Sequence, residues 1–505
     1  MGLFMARVGI ICAGLPLLVA ASLLIDARFS SGQPALGPPV YTTPQPPVAW
    51  SPPVLQGKAL PINLPTALRL VNARTMDVAI AAQRIMQANA QLEQARYAWL
   101  PTITLGADYL RHDGRSQDSN GNIIDPSRSS LMAGAGFNAI FTPGDAIFAP
   151  LAARQLVRAR VADLDAAANN NVLIVAQAYF NVQQARGELA GALIAVKHAE
   201  ELVRRTEKLA QGLVPPAEAV RARAELAARK QAAYSVQERW QLASADLIRV
   251  LRLDPSALID PVEPPHLRVS LISPDHTVDT LIPVGLRNRP ELASQQALIE
   301  ATLQRLRQER IRPLIPSLVL KGPGTNPPAS FTGGVFGGGN DALSKYGARG
   351  DVELQLIWEL QGFGLVNRAK IRERRADNRV ALLEMFRLQD NIAAEVAQAH
   401  AQATSATKRL ADAETGLKDA ADSVDKNFQG MKQTLLAGDL MILAVRPQEV
   451  IASIQTLALA YGNFYGAVAD HNRAQFRLYR ALGYPAQFIS GHESACLLAP
   501  IANGQ

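Results

Sequence analysis

One order of elements occurs twice along this chain: helix, alternating strand, loop, alternating strand, very long helix, glycine break, return helix. In the first copy, Leu68, Val71, Val78, Ile85 and Leu92 recur at helical spacing and predict a helix over residues 64–98 that stops at Leu100-Pro101. Thr102 to Tyr109 then alternates. Ile103, Leu105, Ala107 and Tyr109 share one face, opposite Thr102, Thr104, Gly106 and Asp108. A polar loop reaches Arg128, and Leu131 to Phe141 alternates again. The helical stretch from Asp145 to about Gln211 is long enough to reach roughly 100 Å, more than an ordinary globular domain requires. It breaks at Gly212-Leu213-Val214-Pro215-Pro216. A return helix to about Leu253 and a Pro-rich connector over 255–283 follow.

The second copy opens a helix at Arg289-Pro290-Glu291-Leu292 and ends it at Ile315-Pro316. The segment Leu100-Pro101-Thr102-Ile103-Thr104-Leu105 reappears as Ile315-Pro316-Ser317-Leu318-Val319-Leu320, 215 residues later. The glycine run at 333–339 reads as a flexible loop. Val352, Leu354, Leu356 and Trp358 then share a strand face opposite Asp351, Glu353, Gln355 and Glu359. A second long helix is expected from about Val366 to Ala437, with a break at Gly438-Asp439 and a return through Glu449 to Leu482. Self-similarity over about 220 residues lies outside the solenoid periods of about 20–50 and points to a duplicated unit.

Four strands with one apolar face each do not close a barrel, since single-chain outer-membrane barrels begin at about eight. An open edge in lipid leaves backbone groups unpaired. Strands that cross a membrane here must therefore be pooled from several chains, and their length of about 9–11 residues suits a tilted crossing. Tyr109, Phe137, Phe141 and Trp358 lie at or near strand ends, where aromatic girdles sit. An ordinary soluble four-stranded sheet is the alternative, and helices of this length fit it poorly.

The rest of the chain bounds the setting. Hydrophobic residues make up 48% and charged residues 19%, which excludes overall disorder. The net charge of +7 is scattered among acids with no basic, aromatic-lined stripe, so a nucleic-acid groove is not expected. Arg7 precedes an uncharged apolar run, Val8 to Ile25, as in a secretory signal, with cleavage expected between Ala21 and Ser31. Its 18 residues also suffice for an uncleaved anchor helix. Either way the remainder is exported. The expected organisation is a signal peptide at 1–28, a Pro-rich leader at 29–60, repeats at 61–270 and 271–487, and a tail at 488–505. Cys12 and Cys496 offer no disulfide framework. None of the seven histidines pairs with another at metal-ligand spacing, and neither a phosphate loop nor a Gly-x-Ser-x-Gly elbow is present. No catalytic, cofactor or metal residues are expected, and the chain is not read as an enzyme.

The segments Gln94-Ala95-Arg96-Tyr97-Ala98-Trp99-Leu100-Pro101, Val175-Ala176-Gln177-Ala178-Tyr179-Phe180, Leu209-Ala210-Gln211-Gly212-Leu213-Val214, Arg289-Pro290-Glu291-Leu292 and Tyr479-Arg480-Ala481-Leu482-Gly483 resemble the TolC-like outer-membrane efflux protein family over about Leu60 to Pro485. The resemblance implies a mainly α chain with membrane β-strands: a homotrimer pooling twelve strands into one outer-membrane barrel, continued by a periplasmic helical barrel. It implies an export duct that works with a periplasmic adaptor and an inner-membrane pump. A non-channel periplasmic scaffold is the alternative. The two helix turns would form the periplasmic end, making Gly212, Leu213, Val214 and Gly438 candidates for adaptor contact. Glu218 matches the family's acidic position after the first turn. After the second turn, where the family often carries two aspartates, this chain has Ala444 and Pro447, with Arg446 beside them. Glu218, Asp439 and Arg446 are thus the candidate gate residues, and the departure at Ala444 and Pro447 argues against a carboxylate ring.

Overall fold

The computed structural model describes residues 58–125, 127–210, 214–273, 275–321, 333–339, 347–350, 352–437 and 440–484. The expected signal peptide, most of the leader, the tail, and Gly212, Leu213, Gly438 and Asp439 lie outside these residues.

The described chain begins with β1 (Lys58–Ile62), α1 (Leu64–Arg74) and α2 (Met76–Tyr97). The single helix expected over 64–98 is thus two. Thr75 is extended (φ −72, ψ 135) and buried, and it separates an α1 that packs on the later helices α3 (Pro143–Leu209) and α4 (Pro216–Leu251) from an α2 that packs along α3. Next come β2 (Thr102–His112), a loop carrying the short pair β3 (Ser116–Gln117) and β4 (Ile123–Ile124), and β5 (Arg128–Phe141). The 67-residue α3 (Pro143–Leu209) and the 36-residue α4 (Pro216–Leu251) follow. The expected Pro-rich connector contains β6 (Ala257–Pro261) and the start of α5 (Val278–Asn288). Strand β6 forms because it lies parallel beside β1, each satisfying the other's backbone.

The second half holds α6 (Pro290–Ile311), β7 (Ser317–Lys321), β8 (Gly333–Gly339), β9 (Gly347–Gly350) and β10 (Glu353–Ile357). The 66-residue α7 (Leu365–Gly430), β11 (Thr434–Ala437), β12 (Leu440–Leu443) and α8 (Pro447–Ala481) complete it. Proline occupies the first turn of α3, α4, α6 and α8, where its missing N–H removes no helical bond.

Two further expectations are corrected here. The glycine run at 333–339 is strand β8, because it pairs with Ser129–Ala135 of β5 on one side and with β9 on the other. The second long helix ends at Gly430 rather than near Ala437. Residues 434–437 and 440–443 pair as an antiparallel hairpin, closed further by Ala444 N–H donating to Gln433 O (2.9 Å).

Near the sheet, α2 packs on α3, α3 on α6 and α6 on α7; along the remainder of α3, the neighbours are α4 and α8, and α8 packs on α7. Where α3, α4 and α8 meet β1 and β6, Tyr179, Phe180, Leu247, Leu251, Ile259 and Phe476 are fully buried. Each such side chain contributes about 1.5–3 kcal/mol of burial free energy. Trp240 Nε1 donates to Ile259 O (3.0 Å), and Ile259 N–H donates to Ser244 Oγ (2.6 Å), tying β6 to α4.

Candidate functional site: an open apolar sheet and the far ends of the long helices

The main sheet is a four-position antiparallel array. β5 pairs along its length with β2 on one side. On its other side β7 and β8 occupy successive stretches: Phe141 to Asn138 pair with Leu318 to Lys321, and Ala135 to Ser129 with Gly333 to Gly339. β10 and β9 continue outward from β7 and β8 in the same way. Among the described residues β2 pairs only with β5, β10 only with β7 and β9 only with β8, so both outer edges are open.

Register puts the apolar residues on one face. Tyr109 lies opposite Leu131, Ala107 opposite Ala133, Phe141 opposite Leu318, and Leu318 and Leu320 opposite Leu356 and Leu354. Much of it is open among the described residues: Ile103 is 70% exposed, Leu105 79% and Leu354 65%, while Leu131, Leu318 and Leu320 are half-buried. An apolar surface of this extent calls for lipid or a partner.

Of the candidate girdle residues, Tyr109 (54% exposed) lies toward the sheet's distal end, while Phe141 and Trp358 (59%) lie beside the starts of α3 and α7. Phe137 is paired with Ile103 in the register. From Leu131, the partner of Tyr109, to Phe141 the chain advances ten residues, about 34 Å of strand. A tilt of about 40° reduces that to about 26 Å, against an apolar band of about 25 Å in membrane barrels.

The second candidate region lies at the other end of α3 and α7, about 100 Å of helix from the sheet. Arg205 joins the two helices there. Its guanidinium donates to Phe428 O (3.1 Å), sits 5.0 Å from the Phe428 ring centroid, and binds Glu201. His198 stacks on the same ring at 5.8 Å. Leu202, Ala222, Val424, Met431, Val450 and Ile454 bury themselves around this contact. Burial pushes the His198 imidazole below its usual range, and Asp425 opposes that shift.

Val214 is buried, and its N–H donates to Leu209 O (3.1 Å), closing the end of α3. Glu218 sits in the first turn of α4, where a carboxylate suits the helix dipole. Its Oε1 accepts from Arg221 (2.6 Å), so this charge is already paired within its own helix. Arg446 is exposed at the N-cap of α8, its carbonyl accepting from Glu449 N–H (3.0 Å). The structure therefore brings Val214, Glu218 and Arg446 to the ends of the same long helices, in the turns that close them.

Several arrangements were not singled out in the sequence. Arg289, with its side chain 2% exposed, joins Glu291 and Glu395, and Arg480 bridges the same two carboxylates and Asn170 where α3, α6, α7 and α8 meet. Gly187 and Gly191 of α3 receive the rings of Tyr465 and Tyr461 of α8. The i, i+4 spacing of both pairs was the available signal.

Comparison with known proteins agrees with this geometry. Residues 67–251 match the outer membrane efflux protein family. No curated protein sequence matches the chain. Among solved structures, the outer membrane protein VceC from Vibrio cholerae superposes with a TM-score of 0.64 at 16% identity, covering 84% of this chain and 96% of its own. The Campylobacter jejuni CmeC outer membrane channel gives 0.66 at 16%, covering 83% and 85%. The Neisseria gonorrhoeae MtrE outer membrane channel gives 0.63 at 18%, covering 83% and 89%. The chain has the fold of these solved outer membrane proteins, and its residues 67–251 match the outer membrane efflux protein family.

Proposed function

We propose that this chain is one protomer of a homotrimeric export duct in the outer membrane, passing cargo from an inner-membrane pump and periplasmic adaptor to the exterior. The observation that carries the reading is the open sheet: four antiparallel strand positions, a largely exposed apolar face, and two outer edges unpaired among the described residues. Three copies pool twelve strands, enough to pair every edge around one barrel. The two halves, 61–270 and 271–487, act as duplicated units, each supplying two strand positions and one helix of more than sixty residues.

The helices favour the same assembly. In the row α2, α3, α6, α7 the outer members expose apolar residues, Met76, Ile80 and Met86 on α2 and Val380, Leu383 and Phe386 on α7. Two different faces at opposite edges suit a head-to-tail ring. The far helix ends form the periplasmic mouth, where Gly212, Leu213 and Gly438 meet the adaptor, while Val214, buried in the turn, closes the end of α3. Asp439 and Arg446 remain gate candidates, while Glu218, held by Arg221, is better suited to fixing the turn.

The test is extraction in detergent, mass determination and planar-bilayer conductance. Detergent-stable trimers with single-channel conductance are expected. Monomers soluble without detergent refute the duct and favour a helical scaffold.

A further inference from the structure

Between β10 and α7 the chain makes a short 3-10 turn, Gln361–Gly364, with three successive residues in left-handed conformation: Gly362 (φ 52), Phe363 (φ 54) and Gly364 (φ 85). A left-handed phenylalanine is strained, and such strain persists only where surrounding contacts impose it. They do so here. Gln361 N–H donates to Oδ1 of the buried Asn367 (3.0 Å), and Lys370 Nζ donates to Gln361 Oε1 (3.0 Å). The result is a Phe363 side chain 102% exposed, covered by none of the described residues.

The turn continues the apolar sheet face, with Trp358, Leu360 and Leu365 all exposed beside it. Immediately beyond the apolar residues the charge becomes basic. Residues 365–380 contain six basic side chains (Arg368, Lys370, Arg372, Arg374, Arg375, Arg379) against two acids (Glu373, Asp377). Arg368, Arg372, Arg375 and Arg379 follow 4-3-4 spacing on one face of α7, are exposed, and have no ion-pair partner among the described residues. Asn378 Nδ2 donates to Ile299 O (3.2 Å) and Thr302 Oγ1 (2.9 Å) on the antiparallel α6, which sets Arg368 level with the exposed Arg310. Arg368 and Arg372 lie within about 11 Å of the start of α7, and Arg379 about 21 Å along it.

We propose that this junction is an interfacial anchor for the periplasmic leaflet of the outer membrane. Phe363 enters the boundary between headgroups and acyl chains, and Arg368, Arg372 and Arg310 take the phosphates of anionic phospholipids. The assignment rests on the membrane reading of the sheet. Its support is charge complementarity, since unpaired arginines just outside an apolar band match an anionic headgroup layer, and continuity with the sheet's uncovered face. A rigid apolar wedge beside that band gains by burial what its backbone strain opposes.

The test uses the full chain with Cys12 and Cys496 replaced by Ser, nitroxide-labelled at F363C or at L105C, in phosphatidylcholine vesicles with and without phosphatidylglycerol. Accessibility to oxygen and to a water-soluble nickel chelate is compared. Both labels are expected to be oxygen-accessible and nickel-protected, with position 363 shallower than 105. Position 105 in lipid but 363 in water, or 363 shielded from both reagents by a neighbouring copy, overturns the anchor while the membrane-spanning sheet stands. Neither label in lipid overturns both. For the headgroup contacts, R368Q and R372Q are each expected to lower phosphatidylglycerol enrichment around the purified protein about fivefold, and R379Q to leave it unchanged. Equal retention in all three variants overturns the phosphate assignment.

Discussion

Alanine at Gly187 places a methyl group where the Tyr465 ring already lies, with ring carbons at 2.5, 2.7 and 2.8 Å from the new Cβ. Ordinary carbon contacts lie at about 3.5–4.0 Å, so the helices or the ring must move by roughly an ångström. Escape is restricted: Tyr465 stacks on Tyr461 (6.3 Å, 11° between planes), and Tyr461 is itself seated against Gly191. Overpacking of this kind costs about 1–3 kcal/mol, while glycine to alanine within a helix recovers about 1 kcal/mol. Gly187→Ala is therefore expected to destabilise each protomer by about 0–2 kcal/mol net. Gly416→Ala on α7, where no described residue beyond its own helical turn lies within 4 Å of the added carbon, is expected to stabilise by about 1 kcal/mol. The assay is denaturant unfolding of the detergent-solubilised protein, followed by helical circular dichroism, with the midpoint compared at constant slope. The decisive step repeats Gly187→Ala in a Tyr465→Ala background. With the ring gone, the substitution changes sign and stabilises by about 1 kcal/mol. A Gly187→Ala midpoint raised as far as that of Gly416→Ala, or a penalty that persists without Tyr465, refutes the steric account.

Ser244→Ala removes the acceptor of the buried Ile259 N–H (2.6 Å) and is expected to cost about 1–3 kcal/mol in the same assay; an unchanged midpoint would show that another group satisfies it. Glu395→Gln strips one carboxylate from Arg289, whose side chain is 2% exposed while that of Glu395 is 42% exposed. The expected loss is roughly 1–3 kcal/mol, discounted from the about 3–5 of a fully buried pair, and Glu395→Asp recovering none of it would remove the charge from the explanation. Burial holds His198 and His471 below the usual imidazole range, with Arg268 adding to the effect at His471. Because both folded-state pKa values are depressed, the stability present above the unfolded pKa of about 6.5 is lost as pH falls toward and through the folded values. Paired His198→Gln and His471→Gln substitutions should flatten the stability profile below about pH 6.5, and an unaltered profile would assign the acid response to other groups.

Much of the fold was legible in the sequence because long elements leave long patterns. The alternation of Ile103, Leu105, Ala107 and Tyr109 predicts their shared face, and the register confirms it through pairs such as Tyr109 with Leu131. The starts of α4 and α8 lie within a few residues of the expected returns, since Pro216 and Pro447 sit in their first turns. The misplacements share a different cause. Glycine carries no face and hence no alternation, so Gly333–Gly339 shows itself as strand only through its partners on β5 and β9. Thr434–Ala437 and Leu440–Leu443 have local compositions that also continue a helix; their mutual pairing decides the hairpin. Glu218 was legible as an acidic residue at a turn, but its partner Arg221 was not.

By itself, the sequence determined the two helices of more than sixty residues and the apolar strand faces, and it predicted a doubled order of elements and the consequence that four strands in lipid need further copies. Those properties follow from periodicity, proline and glycine placement and backbone hydrogen bonding, all local or additive along the chain. Only the tertiary structure decided which strands neighbour which, that Gly187 and Gly191 are seats for tyrosine rings, that Arg289 and Arg480 share two carboxylates, and that Phe363 is held outward in a left-handed turn. Each of these is a coincidence in space of residues set by packing, and linear spacing carries no record of it.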